Sequence, residues 1–233
     1  MSETSTSNPA GPRSQSVEDY LKAVYELTLN SERASTNALA EYLGIAAASV
    51  TGMLQKLAEG DEVLVEYRKH HGVALTDEGR KAALETIRYH RLIELFLVQI
   101  LGYEWHEVHA EADRLEHVIS KQFVERIAAA LGDPEHDPHG DPIPRPDLTM
   151  PESAQTVLSG LEVGDEGVVK RVRDTFPELL KFLNEQGLVP GAKFRITEIA
   201  ETDHNLHVMV ADRGQEIVLG PRASNQVYVS LTE

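Results

Sequence analysis

Apolar residues recur at helical spacing between Val17 and Leu29, where Val17, Leu21, Val24, Tyr25 and Leu27 fall near one face, with Ser16 as N-cap and Asn30-Ser31 as the stop. The stretch STNALAEYLGIAAASVTGMLQKLAEGD then predicts a capped short helix from about Thr36 to Leu43, a turn at Gly44 and a second helix from about Ala47 to Glu59. Ala40, Leu43, Ile45, Val50, Leu54 and Leu57 supply the buried side of that pair. Gly44 stands where the turn of a helix-turn-helix takes a left-handed residue. The segment EVLVEYRKHHGVALTDEGR alternates, breaks at His71-Gly72 and resumes with Val73 and Leu75, which predicts a two-stranded hairpin, a wing after the helix-turn-helix.

From Thr76, an N-cap, a helical pattern runs through about Leu101, and a further helix is predicted from about Glu104 to Leu131. Two long antiparallel helices in that place suit a dimer interface. Residues 132–151, GDPEHDPHGDPIPRPDLTMP, hold six prolines and cannot continue a helix, so they connect domains. Beyond them short alternating stretches, GDEGVVKRV, AKFRITEIA, LHVMVAD and EIVLGP to VYVSL, are separated by turn residues, with one helix near Pro177 to Glu185. The expected fold class is mainly α with a small β domain: an arm (1–15), a winged helix-turn-helix (16–76), a helical domain (77–146) and an SH3-like β-barrel (147–233).

Composition narrows the chemistry. A chain of 233 residues suits two or three small modules. No apolar run approaches the ~18 residues of a membrane span, and the N-terminus, MSETSTSNPAGPRSQS, lacks the apolar core of a secretory signal, which points to a cytoplasmic protein with a disordered arm. Cysteine is absent, which removes disulfides, thiolate catalysis, zinc fingers and cysteine-held clusters. Any metal must be held by oxygen and imidazole. The net charge of −16 argues against indiscriminate nucleic-acid binding. It is unevenly spread, however: residues 13–91 carry ten Lys/Arg against twelve Asp/Glu, whereas residues 92–233 carry twelve against twenty-five.

The densest candidate chemistry is HAEADRLEH, where on one continuous helix His109, Asp113, Glu116 and His117 share a narrow face. A solvated polar face accounts for such a cluster about as often, so context decides. The preceding helix, RYHRLIELF, presents His90 and Glu94 four residues apart on one face. Asp19 in SVEDYLKAVYEL is a further oxygen donor, though a first-turn acid is also favoured by the helix dipole. Carboxylates and imidazoles without a soft ligand suit Mn²⁺ or Fe²⁺. The loop DPEHDPHGDP, with His136 and His139 among aspartates, reads more simply as a rigid connector. Trp105, the only tryptophan, is expected to pack at an interhelix corner.

The helix Ala47–Glu59 is the expected DNA reader, with Ser49, Thr51, Gly52, Gln55 and Lys56 away from its apolar face, and Thr36 and Ala47 at the two helix starts. Small residues let the backbone approach, Gln55 can read adenine and Lys56 can sit on phosphate. Lys69, His70 and His71 at the wing tip, Arg80 and Lys81 after it, and Arg13 in the arm are supplementary phosphate contacts. A plain three-helix core would also explain a helix with one basic residue.

Taken in order, VEDYLKAVYEL, the helix-turn-helix and wing, YHRLIELFL, EVHAEADRLEH and DPHGDPIP resemble the iron- and manganese-dependent repressors of the DtxR/MntR family, over about residues 16–146 and weakly beyond. The resemblance implies one metal site of Asp19, Asp113, Glu116 and His117 and a second of His90, Glu94 and His109. Longer members add ligands from the C-terminal domain, for which Glu178 is the nearest candidate and Asp174 lies behind it. Iron-sensing members place Met and Cys where this chain has Asp19 and Asp113, so hard donors shift the preference toward manganese. Some manganese-sensing members carry a Glu where this chain has Lys22, which puts a two-metal cluster of that form in doubt.

The expected function is a transcriptional repressor controlling metal homeostasis, not an enzyme. It would hold about two Mn²⁺ (alternatively Fe²⁺) per protomer and act as a homodimer on double-stranded DNA with a pseudo-palindromic operator. No membrane and no small-molecule substrate enter this reading. The alternatives are a manganese-dependent metalloenzyme and a regulator whose SH3-like domain is a protein-interaction module.

Overall fold

The computed structural model describes residues 13–173 and 177–232, so the expected arm lies almost wholly outside the described residues, as does Asp174. The chain forms two compact units, residues 1–87 and 88–233.

In the first unit, α1 spans Gln15–Thr28, two residues earlier than its pattern suggested, with Ser14 rather than Ser16 at the N-cap. Its Leu21, Ala23 and Val24 are fully buried. Helix α2 (Thr36–Leu43) starts where the Ser35 side chain accepts from the Ala38 amide and stops at Gly44, whose φ of 65° is the left-handed conformation expected there. Helix α3 (Ala47–Glu59) buries Val50, Leu54 and Leu57. On α2 the fully buried residue is Leu39, whereas Ala40 and Leu43 are half-buried and Ile45 is exposed. The short helix meets its neighbours one position away from the expected face. Strands β1 (Val65–Arg68) and β2 (Gly72–Leu75) form the wing hairpin. The Thr76 hydroxyl accepts from the Gly79 amide and opens α4 (Asp77–Gln99).

In the second unit the long helix expected from Glu104 to Leu131 is two helices. Helix α5 (Val108–Leu115) ends at Glu116, and α6 (Lys121–Ala130) begins after Ser120, whose hydroxyl accepts from the Phe123 amide. A Ser in capping position outweighs a periodicity that would have carried the helix through. Two apolar stripes of α4 diverge: Leu92 and Leu95 pack with Val124, Ile127, Ala128 and Ile143, while Ile93 and Leu97 pack with Val108 and Ala112. The connector folds back over α4 and is fastened by arginines. Proline carbonyls whose residues have no N–H take these donors: Arg88 Nη1 donates to the Pro144 carbonyl (2.9 Å) and Arg91 Nη1 to that of Pro142 (2.6 Å).

The C-terminal sheet comprises β3 (Thr156–Val157), β4 (Glu166–Val172), β5 (Lys193–Ile199), β6 (Leu206–Val210), β7 (Gln215–Leu219) and β8 (Val227–Leu231), with α7 (Pro177–Gln186) after β4. Its antiparallel order is β3-β8-β4-β5-β6-β7. The expected barrel is therefore left open among the described residues: bulges at Val169/Arg171 and Ile196/Glu198 interrupt the register, yet β3, two residues long, does not pair with β7. Trp105 is buried in the core of this sheet domain, with Leu158, Val172, Leu183 and Phe194, rather than at a corner between helices.

Candidate metal centre

His90 and Glu94 lie on the inner side of α4, about 40° apart around the helix, and both are buried. His109 and Asp113 face them from α5. His90 Nε2 is 2.9 Å from Glu94 Oε1 and 3.0 Å from His109 Nδ1, which is itself 3.2 Å from the same carboxylate oxygen. On its other edge, His90 Nδ1 lies 3.3 Å from Asp113 Oδ1 and 2.5 Å from Glu116 Oε2. Two imidazole nitrogens at 3.0 Å cannot both present lone pairs to each other. A proton or a cation must be shared there.

Helix α5 ends at Glu116, whose backbone is still helical, and His117 follows just outside it. Glu116 is turned to the same His90 nitrogen as Asp113 with one oxygen and lies 3.3 Å from His117 Nε2 with the other. Asp113 joins His90 and His109 rather than standing apart from them, its Oδ2 being 3.5 Å from His109 Nε2. His90, His109 and Asp113 each offer a donor within 4.8 Å of the others.

A second cluster comes from the connector. Asp137, His139 and Glu94 are all buried and likewise offer donors within 4.8 Å of one another. His139 Nδ1 stands 3.8 Å from Glu94 Oε2, while its Nε2 donates to the Trp105 carbonyl at 2.8 Å. Glu94 therefore serves both clusters, one oxygen each. The connector is thus more than a rigid link, although His136 is exposed, its Nε2 3.3 Å from the Glu152 carbonyl. The available signal was the D-P-H-G-D-P spacing, in which prolines fix the backbone around two acids and a histidine.

Electrostatics follow from burial. Desolvation alone would raise Glu94, but His90 and the hydrogen bonds of His109, His139 and His90 hold its carboxyl well below the usual range. Asp137 is pushed up to about 7, first by burial and then by Asp141 and Glu94, with His139 and Arg91 opposing. Glu178 is exposed on α7 and belongs to neither cluster. Asp19 lies half-buried on α1 in the first unit.

On α3, Ser49, Gln55 and Lys56 are exposed, as are Lys69 at the wing and Arg80, whose guanidinium stands 5.3 Å from the Tyr25 ring centre. Thr36, Ala47, Thr51 and Gly52 are half-buried, and the Thr51 hydroxyl is spent on the Ala47 carbonyl at 3.0 Å. A Cβ on Gly52 would meet nothing within 4 Å. A mid-helix glycine costs about 1 kcal/mol relative to alanine, and no packing among the described residues explains it.

A helix-turn-helix with a wing, followed by helices holding carboxylate–imidazole clusters and a small sheet domain, defines a metal-sensing, DNA-binding regulator. The chain belongs to the iron-dependent repressor family. Residues 14–73 match the iron dependent repressor N-terminal DNA binding domain, residues 76–145 the metal binding and dimerisation domain, and residues 156–231 the FeoA domain. It is 30% identical over 217 residues to the iron-dependent repressor IdeR of Mycobacterium leprae (strain TN), covering 88% of this chain and 91% of that protein. It is 35% identical to the HTH-type regulator MntR of Bacillus velezensis (strain DSM 23117 / BGSC 10A6 / LMG 26770 / FZB42) over 112 residues, 48% of this chain and 77% of that one. Among solved structures, a manganese-dependent transcriptional repressor in complex with manganese shares 37% identity at a TM-score of 0.86, with 93% of this chain and 100% of that one covered. ScaR with bound Zn²⁺ shares 35% at 0.77, with 92% and 98% covered. The family is one of transcriptional repressors rather than enzymes, which removes the metalloenzyme alternative. Among the described residues no helix is long and apolar enough to cross a membrane.

Proposed function

We propose that this repressor senses Mn²⁺ in preference to Fe²⁺ through two clusters that share Glu94: His90, His109 and Asp113 on one side, Asp137 and His139 on the other. The observation that carries the reading is the convergence of three imidazoles on one buried carboxylate, an arrangement with borderline and hard donors and no thiolate. Glu116 and His117 are a further pair of donors beside these clusters. A bound divalent cation supplies positive charge and directional coordination to these donors.

The residues of this chain do the rest. Arg88 and Arg91 hold the connector against α4, Glu94 ties α4 to α5 and the connector, and the burial of His90, Glu94, Asp137 and His139 limits competition from water. Two cations would change the net charge only from −16 to −12, so neutralisation alone does not create DNA affinity. Selection of a binding-competent dimer does, because half-sites must be spaced about 34 Å apart. The exposed face of α3 enters the major groove, with Gln55 and Ser49 toward base edges, Lys56 and Lys69 on phosphates, and Gly52 leaving room for the duplex.

The direct test is fluorescence anisotropy of a labelled pseudo-palindromic operator with Mn²⁺ added and then removed by chelator. Operator binding that ignores the chelator contradicts the proposal. A second expectation concerns pH. A cation at the Glu94–Asp137–His139 cluster displaces the Asp137 proton, so its affinity weakens about tenfold per unit below pH 7 and levels off above it. Calorimetry in two buffers of different ionisation enthalpy should find more protons released per cation at pH 6 than at pH 8. For the metal-free chain the same raised carboxyl makes stability fall as pH rises from about 4 to 7, because the folded state holds the extra proton in that window. Asp137→Asn should remove that slope.

A further inference from the structure

We propose that Arg171, on strand β4 of the C-terminal sheet, is a positioning residue that sets cation affinity at the Glu94–Asp137–His139 cluster without being a ligand. The inference rests on reading that cluster as a cation site. Asp137 and His139 belong to one tight turn. Asp137 Oδ1 accepts from the amides of His139 (2.8 Å) and Asp141 (2.9 Å), and the Asp137 amide donates to the Asp141 carbonyl (3.0 Å). One carboxylate oxygen is thus consumed by the turn, which leaves Oδ2 to face the cluster.

Beside the burial of the adjoining Ile143 and the His139 hydrogen bond to the Trp105 carbonyl, that turn is held from outside. Strand β4 holds it at three points. Arg171 Nη1 donates to Asp141 Oδ1 at 3.2 Å, with its guanidinium lying over the Tyr228 ring at 3.8 Å. The Val172 amide donates to the His139 carbonyl at 2.8 Å. Gly140, at φ 86°, lies so close to the strand that a Cβ there would stand 2.0 Å from the Lys170 carbonyl oxygen. From the opposite side Arg91 binds the Pro142 carbonyl. The only side-chain ion pair of the three β4 contacts is Arg171 with Asp141, both largely buried. Removing such supports around metal ligands typically weakens binding 10–100-fold.

Charge must be separated from position, because losing Arg171 alone would also leave Asp141 with the more distant Arg91, at 4.0 Å, and draw cations in. The charge-neutral pair Arg171→Gln with Asp141→Asn removes the clamp and keeps the net charge. In the full chain, Mn²⁺ titration calorimetry should find one class of site weakened about tenfold or more. The ligand-field spectrum of bound Co²⁺ should change with it, whereas Arg171→Lys alone keeps both close to the parent protein. Unchanged affinity and an unchanged Co²⁺ spectrum in the double variant overturn the proposal. If the double variant does not fold, Tyr228→Leu, which removes the platform under the guanidinium and no charge, should weaken the same site, and an unaltered titration there also overturns it. Asp137→Asn in the parent background separates the two levels: if it leaves the number and affinity of bound Mn²⁺ unchanged, the cluster itself is not a cation site.

Discussion

Glu94→Gln is expected to abolish the metal response while leaving the fold in place. Glu94 gives one oxygen to His90 and His109 and the other to His139, so a single substitution disables both clusters at once. The amide is isosteric, and the imidazoles can shed their protons, so no uncompensated charge is left buried. With Mn²⁺ at ~100 times its dissociation constant, linkage supplies up to about 2.7 kcal/mol per site. Operator affinity in saturating Mn²⁺ should therefore fall by up to about 100-fold per site lost, toward the metal-free level. Anisotropy with operator measures this, with circular dichroism to verify the fold. Full Mn²⁺-dependent operator binding by this variant would show that neither cluster is the sensor.

The second large effect is on stability. Trp105→Ala should cost about 3–5 kcal/mol, the usual range for deleting a large buried aromatic. The Trp105 ring fills the core of the C-terminal domain although it arises from the chain between α4 and α5, and its carbonyl accepts from His139. Truncation after residue 151 should expose the same ring and lower the urea midpoint of what remains. A C-terminal domain acting only as a detachable interaction module predicts instead that truncation leaves metal affinity and stability untouched. Equilibrium urea denaturation decides between them, a loss below about 1 kcal/mol favouring the module.

Much of the first unit was legible along the chain because its determinants are local. The cap at Ser35, the left-handed Gly44, the apolar positions of α3 and the wing turn are each set within a few residues. The same holds for the pairs His90 with Glu94 and His109 with Asp113, since four residues bring side chains to one helical face. The periodic pattern failed at Glu116–Ser120, where a cap interrupts the helix, although Glu116 still turns to His90 beside Asp113.

By itself, then, the sequence determined the order of the elements, the donor types of the carboxylate–imidazole clusters and the exposed polar face of α3. It does so because periodicity, capping and donor type are properties of neighbouring residues. Only the tertiary structure decided that Asp137 and His139, more than forty residues downstream of Glu94, would close on its second oxygen. That placement follows from burying Ile143 against Leu92 and Leu95, from arginines seeking proline carbonyls, and from β4 gripping the turn. These are contacts between distant segments, and a reading of local pattern carries no information about which distant segments will meet.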